Sequence, residues 1–185
     1  MSTTVAAPAR KTTWAIDPVH SNVEFAVRHL MITTVKGRFA DVRGTVVLDD
    51  ERPDASSADI TIGVASIDTR EAQRDAHLKS PDFFDAETYP TITFRSRTVR
   101  DYTPGGFTLV GDLTIHGTTR EVALEVTAEG RSPDPWGGQR AGFTATTRIK
   151  RSEFGLTWNQ LLETGGLAVS DDVRITLDVQ LIAQA

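Results

Sequence analysis

Apolar and polar residues alternate with a period of two from Val23 to Leu181, and this pattern restricts the chain more than any other feature. Successive side chains change face only in an extended strand, so each alternating run is a strand with one buried and one wet face. Val23, Phe25 and Val27 make one row, Ile60, Ile62 and Val64 a second, and Ile92 and Phe94 a third. Phe107, Leu109, Leu113 and Ile115 share a face, as do Val122, Leu124 and Val126, and then Phe143, Ala145, Thr147 and Ile149. The longest row is Val173, Ile175, Leu177, Val179 and Leu181. Turn-forming sequences separate the rows: Asp50 to Pro53, Pro104-Gly105-Gly106, His116-Gly117 and Ser132 to Gly138. With the Arg38 to Leu48 run this gives about eight strands, and Trp14 to Asp17 offers a further short one. Strands with one wet face pair antiparallel. A sheet of this many strands in one domain curls shut to remove its edges. The fold read here is all-β: an eight-stranded antiparallel barrel.

One segment departs from the alternation. Asp68 to Lys79 reads DTREAQRDAHLK, where Asp68 followed three residues later by Glu71 predicts a helix start and Pro81 a stop. The helix has little apolar face, and Arg70/Arg74 and Glu71/Asp75 are like-charge pairs at i,i+4. Its polar groups must be engaged by the rest of the fold. It is read as a short helical lid on the barrel mouth, bordering any ligand entrance, with Phe83 and Phe84 burying behind it.

What the chain lacks excludes whole classes of chemistry. There is no cysteine, so disulfides, thiolate nucleophiles, thiolate zinc sites and iron–sulfur clusters are out. The formal net charge of -5 supplies no basic field for nucleic acid or an anionic lipid surface. No run approaches the roughly 18 apolar residues of a membrane-spanning helix. The four histidines, His20, His29, His77 and His116, show no metal-ligand spacing, and no metal site is expected. There is no G-x-S-x-G elbow, Walker loop or G-x-G-x-x-G sequence, so no catalytic centre is legible. Residues 1–11 read as a disordered tail and 12–185 as one domain. The opening residues lack the basic start and long apolar stretch of an export signal, and a cytoplasmic location is expected.

What remains is the barrel interior. About eight strands is the size at which a barrel is either filled by its own side chains or holds one small ligand. The inward rows mix large residues (Phe25, Phe94, Phe143, Leu177) with small or polar ones (Ser96, Gly111, Ala145, Thr147). Periodicity leaves both a solid core and a tunnel open.

Several motifs taken together resemble the YceI-like, polyisoprenoid-binding family of bacterial proteins. They are Trp14 to Ser21 (WAIDPVHS), Val35-Lys36-Gly37-Arg38-Phe39, Ser66 to Thr69, Arg74 to Leu78, Phe83-Phe84-Asp85, Tyr89 to Ser96, Gly111 to Gly117 and Arg151 to Leu156. The resemblance covers nearly the whole chain beyond the tail. It implies a lipocalin-like barrel with a helical segment, whose interior holds a long isoprenoid chain or similar amphiphile, and so it favours a tunnel. Several members of that family are exported, whereas this sequence reads as lacking a signal.

For a polyisoprenoid site, apolar walls and a few polar groups at one end are required. The wall candidates are Phe25, Val27, Phe39, Ile62, Phe83, Phe84, Phe94, Leu113, Phe143, Ala145, Phe154, Leu156 and Trp158. Arg74, Asp75 and His77 are the candidates for the head-group end, or else an ion-paired network that pins the helix. No cofactor is expected beyond a bound isoprenoid lipid or quinone. The expected activity is non-enzymatic binding and carriage or sequestration. The alternatives are an enzyme on a hydrophobic substrate using Asp75 and His77 as an acid/base pair, and a solidly packed interaction module whose outer face makes a homodimer.

Overall fold

The alternating rows become one continuous antiparallel sheet. The computed structural model describes residues 11–163 and 165–184. The segments are β1 (Lys11–Ile16), β2 (Asn22–His29), β3 (Thr33–Phe39), β4 (Val42–Asp49), β5 (Ser57–Gly63), β6 (Ile67–Asp68), β7 (Thr91–Thr103), β8 (Gly106–Ile115), β9 (Thr118–Pro133), β10 (Gln139–Lys150) and β11 (Val169–Ala183), with one helix, α1 (Ala72–Lys79). Lys11 is therefore the first residue of β1 rather than the end of a tail; residues 1–10 lie outside the described residues.

The eleven segments are eight long strands, three of which are broken once. β1 and β2 run in line along one edge of β11, with Ile16 opposite Leu181 and Asn22 opposite Asp178. β3 and β4 continue each other beside them, and β5 and β6 do so in turn. Each following strand pairs with the next, and β11 returns to β1, which closes the barrel. The three breaks, at 17–21, 40–41 and 64–66, lie side by side. Pro18 explains the first, since proline has no N–H for the ladder. Asp17 holds that break: its carboxylate accepts from the Val19 amide at 3.0 Å, His20 Nδ1 at 2.8 Å and Arg140 Nη1 at 2.6 Å.

β6 pairs only with β3 among the described residues and runs on past the start of β7. α1 and residues 80–90 follow at that notch, so the helix borders this end of the barrel, with Gln73, Arg74, His77 and Leu78 on the side of the interior. Its start differs from the sequence expectation. Asp68 accepts from the Arg70 amide at 2.8 Å, and Arg70 has a φ of 62°, which no first helical turn accommodates. The cap is instead Glu71, whose carboxylate accepts from the Gln73 and Arg74 amides, and the helix runs only from Ala72.

Candidate functional site

The barrel is hollow in one half and solid in the other. Toward the β1 and β4 end, the inward residues meet: Trp14, Val126, Ala141, Ala145 and Leu181 are buried in one cluster, against which Val46, Leu48, Phe107 and Phe143 pack. Toward the α1 end, the inner faces enclose a cavity of about 600 Å³. Phe25, Val27, Val173 and Ile175 point inward yet are only half-buried, because the surface they expose belongs to the cavity.

The sequence rows explain how the void forms. Phe25 stands directly opposite Gly37 on β3, and its ring covers that glycine. A Cβ on Gly37 would fall 2.7 Å from Phe25 Cε1. Phe94 likewise lies over Gly111, where a Cβ would meet Phe94 Cζ at 2.6 Å. Glycines beneath the rings let them lie against the wall instead of reaching across the barrel. Phe39 packs on Phe25 at 5.6 Å between centroids and on Phe84 at 5.9 Å.

The mouth is framed by α1 on one side and by the chain after Leu156 on the other. His77 joins them: its ring stands edge-on to Trp158 at 4.7 Å and to Phe83 at 5.1 Å, and its Nε2 pairs with Asp82 at 2.8 Å. Gln73, Arg74, His77 and Leu78 are the helix residues that face the cavity.

Twelve of the sixteen sequence-named site residues border the cavity: Phe25, Val27, Phe39, Ile62, Arg74, His77, Phe83, Phe84, Phe94, Leu113, Leu156 and Trp158. Asp75 does not. Its Oδ1 accepts from the Thr69 amide at 2.9 Å and the Thr69 hydroxyl at 2.6 Å, while Arg74 Nε donates to the same hydroxyl at 2.8 Å and Nη2 to the Thr69 carbonyl at 2.9 Å. Arg74 and Asp75 thus hold the helix to Thr69 by hydrogen bonds, and among the described residues no ion pair joins the two, so the ion-paired network expected as the alternative is not what pins it. The Asp75/His77 acid/base pair does not form, because His77 bonds Asp82 and Asp75 is engaged elsewhere. Phe143 and Ala145 belong to the solid half, Phe143 lying 6.3 Å from Phe107. Phe154 is buried in the turn after β10 (Arg151–Phe154) and packs into the core instead of facing the cavity.

Arg151 is the residue the sequence reading missed. It follows Ile149 at the inward period, is buried, and borders the cavity. No carboxylate forms a salt bridge with it among the described residues. Its guanidinium instead donates to backbone carbonyls: Nε to Ser170 at 3.0 Å, Nη1 to Leu156 and Trp158 at 2.8 Å each, and Nη2 to Val169 at 3.4 Å. Burial pushes its pKa down, against the opposing charge of Asp171. Arg151 is the clamp that brings Trp158 to the mouth.

Among the described residues no three His, Asp or Glu side chains gather into a set that could hold a metal ion, and no helix is long and apolar enough to cross a membrane. His20, His29, His77 and His116 sit apart, on Asp17, at the cavity rim, on Asp82 and against Tyr89.

Residues 14–181 match a family model described as a YceI-like domain. A UPF0312 protein of Vibrio cholerae is 41% identical over 137 residues, which are 74% of this chain and 72% of that protein. A UPF0312 protein of Shewanella baltica is 39% identical over the same shares. BcnA of Burkholderia cenocepacia superposes with a TM-score of 0.78 at 27% identity, over 89% of this chain and 98% of that one. The Campylobacter jejuni YceI protein does so with a TM-score of 0.73 at 30% identity, over 85% and 90%. A polyisoprenoid-binding domain from Saccharophagus degradans shares the fold, with a TM-score of 0.69 at 17% identity over 92% and 98%. With the match running from Trp14 in the first strand to Leu181 near the end of the last, the chain belongs to the YceI-like family.

Proposed function

We propose that this protein binds a polyisoprenoid or similar long-chain amphiphile, such as an isoprenoid quinone, in the hollow half of the barrel, and carries or sequesters it without catalysing a reaction. The observation that carries this reading is the 600 Å³ cavity with apolar walls and with its polar groups gathered near one end. A flexible hydrocarbon gains binding free energy in proportion to the apolar area it removes from water, roughly 25 cal/mol per Å². At interior packing density a five-carbon isoprene unit fills on the order of 100 Å³, so about 6 such units fit within the walls, and a longer tail leaves its head end outside the mouth. Gln73 and His77 border the cavity on the α1 side, where a polar head would rest. The polyisoprenoid-binding neighbour of the same fold supports the ligand class. The binding role, as against catalysis, is supported by the engagement of His77 and Asp75 in structural contacts.

Native mass spectrometry tests the reading. The purified protein is expected to carry, or to take up from detergent, one isoprenoid quinone per chain. A clean apo mass after incubation with quinones of several tail lengths overturns it.

A further inference from the structure

Five of the eight large apolar side chains that the described residues leave exposed lie at one place on the molecule: Leu30, Met31, Ile32, Leu161 and Leu167. The first three form the turn between β2 and β3. The other two pair across a small hairpin in the chain after Trp158. Leu30 N donates to the Ala168 carbonyl at 2.8 Å, so the two tips stand side by side. Both spring directly from the cavity rim, since His29 and Val169 border the cavity and pair with each other.

The β2–β3 turn is costly in two ways at once. Ile32 N donates to the His29 carbonyl at 3.1 Å, and the two residues between, Leu30 and Met31, have φ values of 51° and 58°. That left-handed geometry favours Asn-Gly, and L-residues with side chains are strained in it. Asn-Gly would also be the more soluble choice, yet the position holds two bulky hydrophobes with Ile32, 73% exposed, beside them. Strain and exposed apolar surface kept together at one site indicate a use for that surface.

We infer that these two tips insert into a lipid bilayer surface and seat the cavity mouth against it. The inference rests on the proposed ligand class, since an isoprenoid lipid resides in a bilayer. The apolar groups stand on convex loop tips, the form that penetrates the headgroup region. From Arg28 to Lys36 the β2–β3 turn carries no carboxylate, and Glu163, exposed between Leu161 and Leu167, is the single one from Leu161 to Ser170, so the tips together offer lipid phosphates little repulsion in spite of the chain's overall negative charge. With that net charge, apolar insertion supplies the attraction and binding is insensitive to salt.

The test is flotation of the full chain with phosphatidylcholine vesicles, with and without ubiquinone in the bilayer. The wild type is expected to float with vesicles at both low and high salt and to withdraw quinone from them. Ile32→Glu with Leu161→Glu should lower the vesicle-bound fraction at least tenfold while leaving quinone uptake from detergent intact. Leu30→Asn with Met31→Gly should also weaken flotation but raise the melting temperature, which separates docking from folding. Ile175→Trp, placed in the cavity, should still float while losing uptake. A wild type that takes quinone from detergent but never floats overturns docking alone and leaves the ligand reading standing. Flotation that survives both loop variants overturns it too. So does a concentration-dependent dimer, abolished by Ile32→Glu, in a protein that does not float.

Discussion

The ring of Phe25 occupies the space that any side chain on Gly37 would need. The two residues face each other across β2 and β3, so the position of the ring depends on the absence of a methyl group. Gly37→Ala is expected to turn the ring inward, reduce the cavity and destabilise the fold by about 1–3 kcal/mol. Urea denaturation measures the loss, and native mass spectrometry with short-tailed and long-tailed quinones should show the longer one lost first.

The two halves of the barrel should answer differently to a large residue. Ala145→Trp falls in the filled half and should overpack it, costing about 1–3 kcal/mol or more. Ile175→Trp extends into open space and should leave the melting temperature within a few degrees while abolishing ligand uptake. Equal destabilisation by the two would contradict a barrel divided across its middle.

Arg151 tethers four carbonyls with one side chain. Arg151→Met keeps much of the volume but leaves those acceptors without their donor, at an expected cost of about 3 kcal/mol. Arg151→Lys should recover little, because an ammonium cannot span the fork. Trp158 fluorescence, compared with that of a Trp158→Phe control, should report release of the mouth in both variants.

Asp17, Asp50 and Asp171 all have carboxyl pKa values held below the ordinary value. At Asp17 burial acts to raise it, but the His20 hydrogen bond, the Val19 amide and the charges of His20 and Arg140 outweigh burial. At Asp50 the Arg131 hydrogen bond is the main cause. At Asp171 burial is outweighed by the bonds from Ser152 and the charges of Arg151 and Lys150. A depressed carboxyl contributes stability above the unfolded pKa of about 3.9 and loses it as the pH falls toward the folded value. Thermal melts from about pH 5 down to about pH 2.5 should therefore show a steep fall. Asp17→Asn should flatten it and lower the melting temperature at neutral pH.

The strands were legible because their period is short and local: Val173 to Leu181 reads as a strand without reference to anything else. The break at Asp17–Ser21 carries Pro18, but the one at Ala40–Asp41 falls inside an unmarked run, so the kink that separates β3 from β4 was invisible. The row Phe143, Ala145, Thr147, Ile149 shows why the cavity could not be located. Its first two residues meet partners across the barrel and its last two border open space, and only distances between strands distinguish them. The helix start failed for a different reason. Asp68 and Glu71 have the spacing of a capping box, and the positive φ of Arg70 that defeats it has no sequence signature. Arg151 was legible in position, two residues beyond Ile149, but a charge does not announce itself as part of an apolar wall.

Because the barrel is stoppered below its waist by Phe107, Phe143 and their neighbours, the hollow half is a blind pocket. A chain that enters it tail-first must back out head-first along the same path. Loading and delivery then use one and the same doorway, and a donor and an acceptor must take turns there rather than face each other through a conduit.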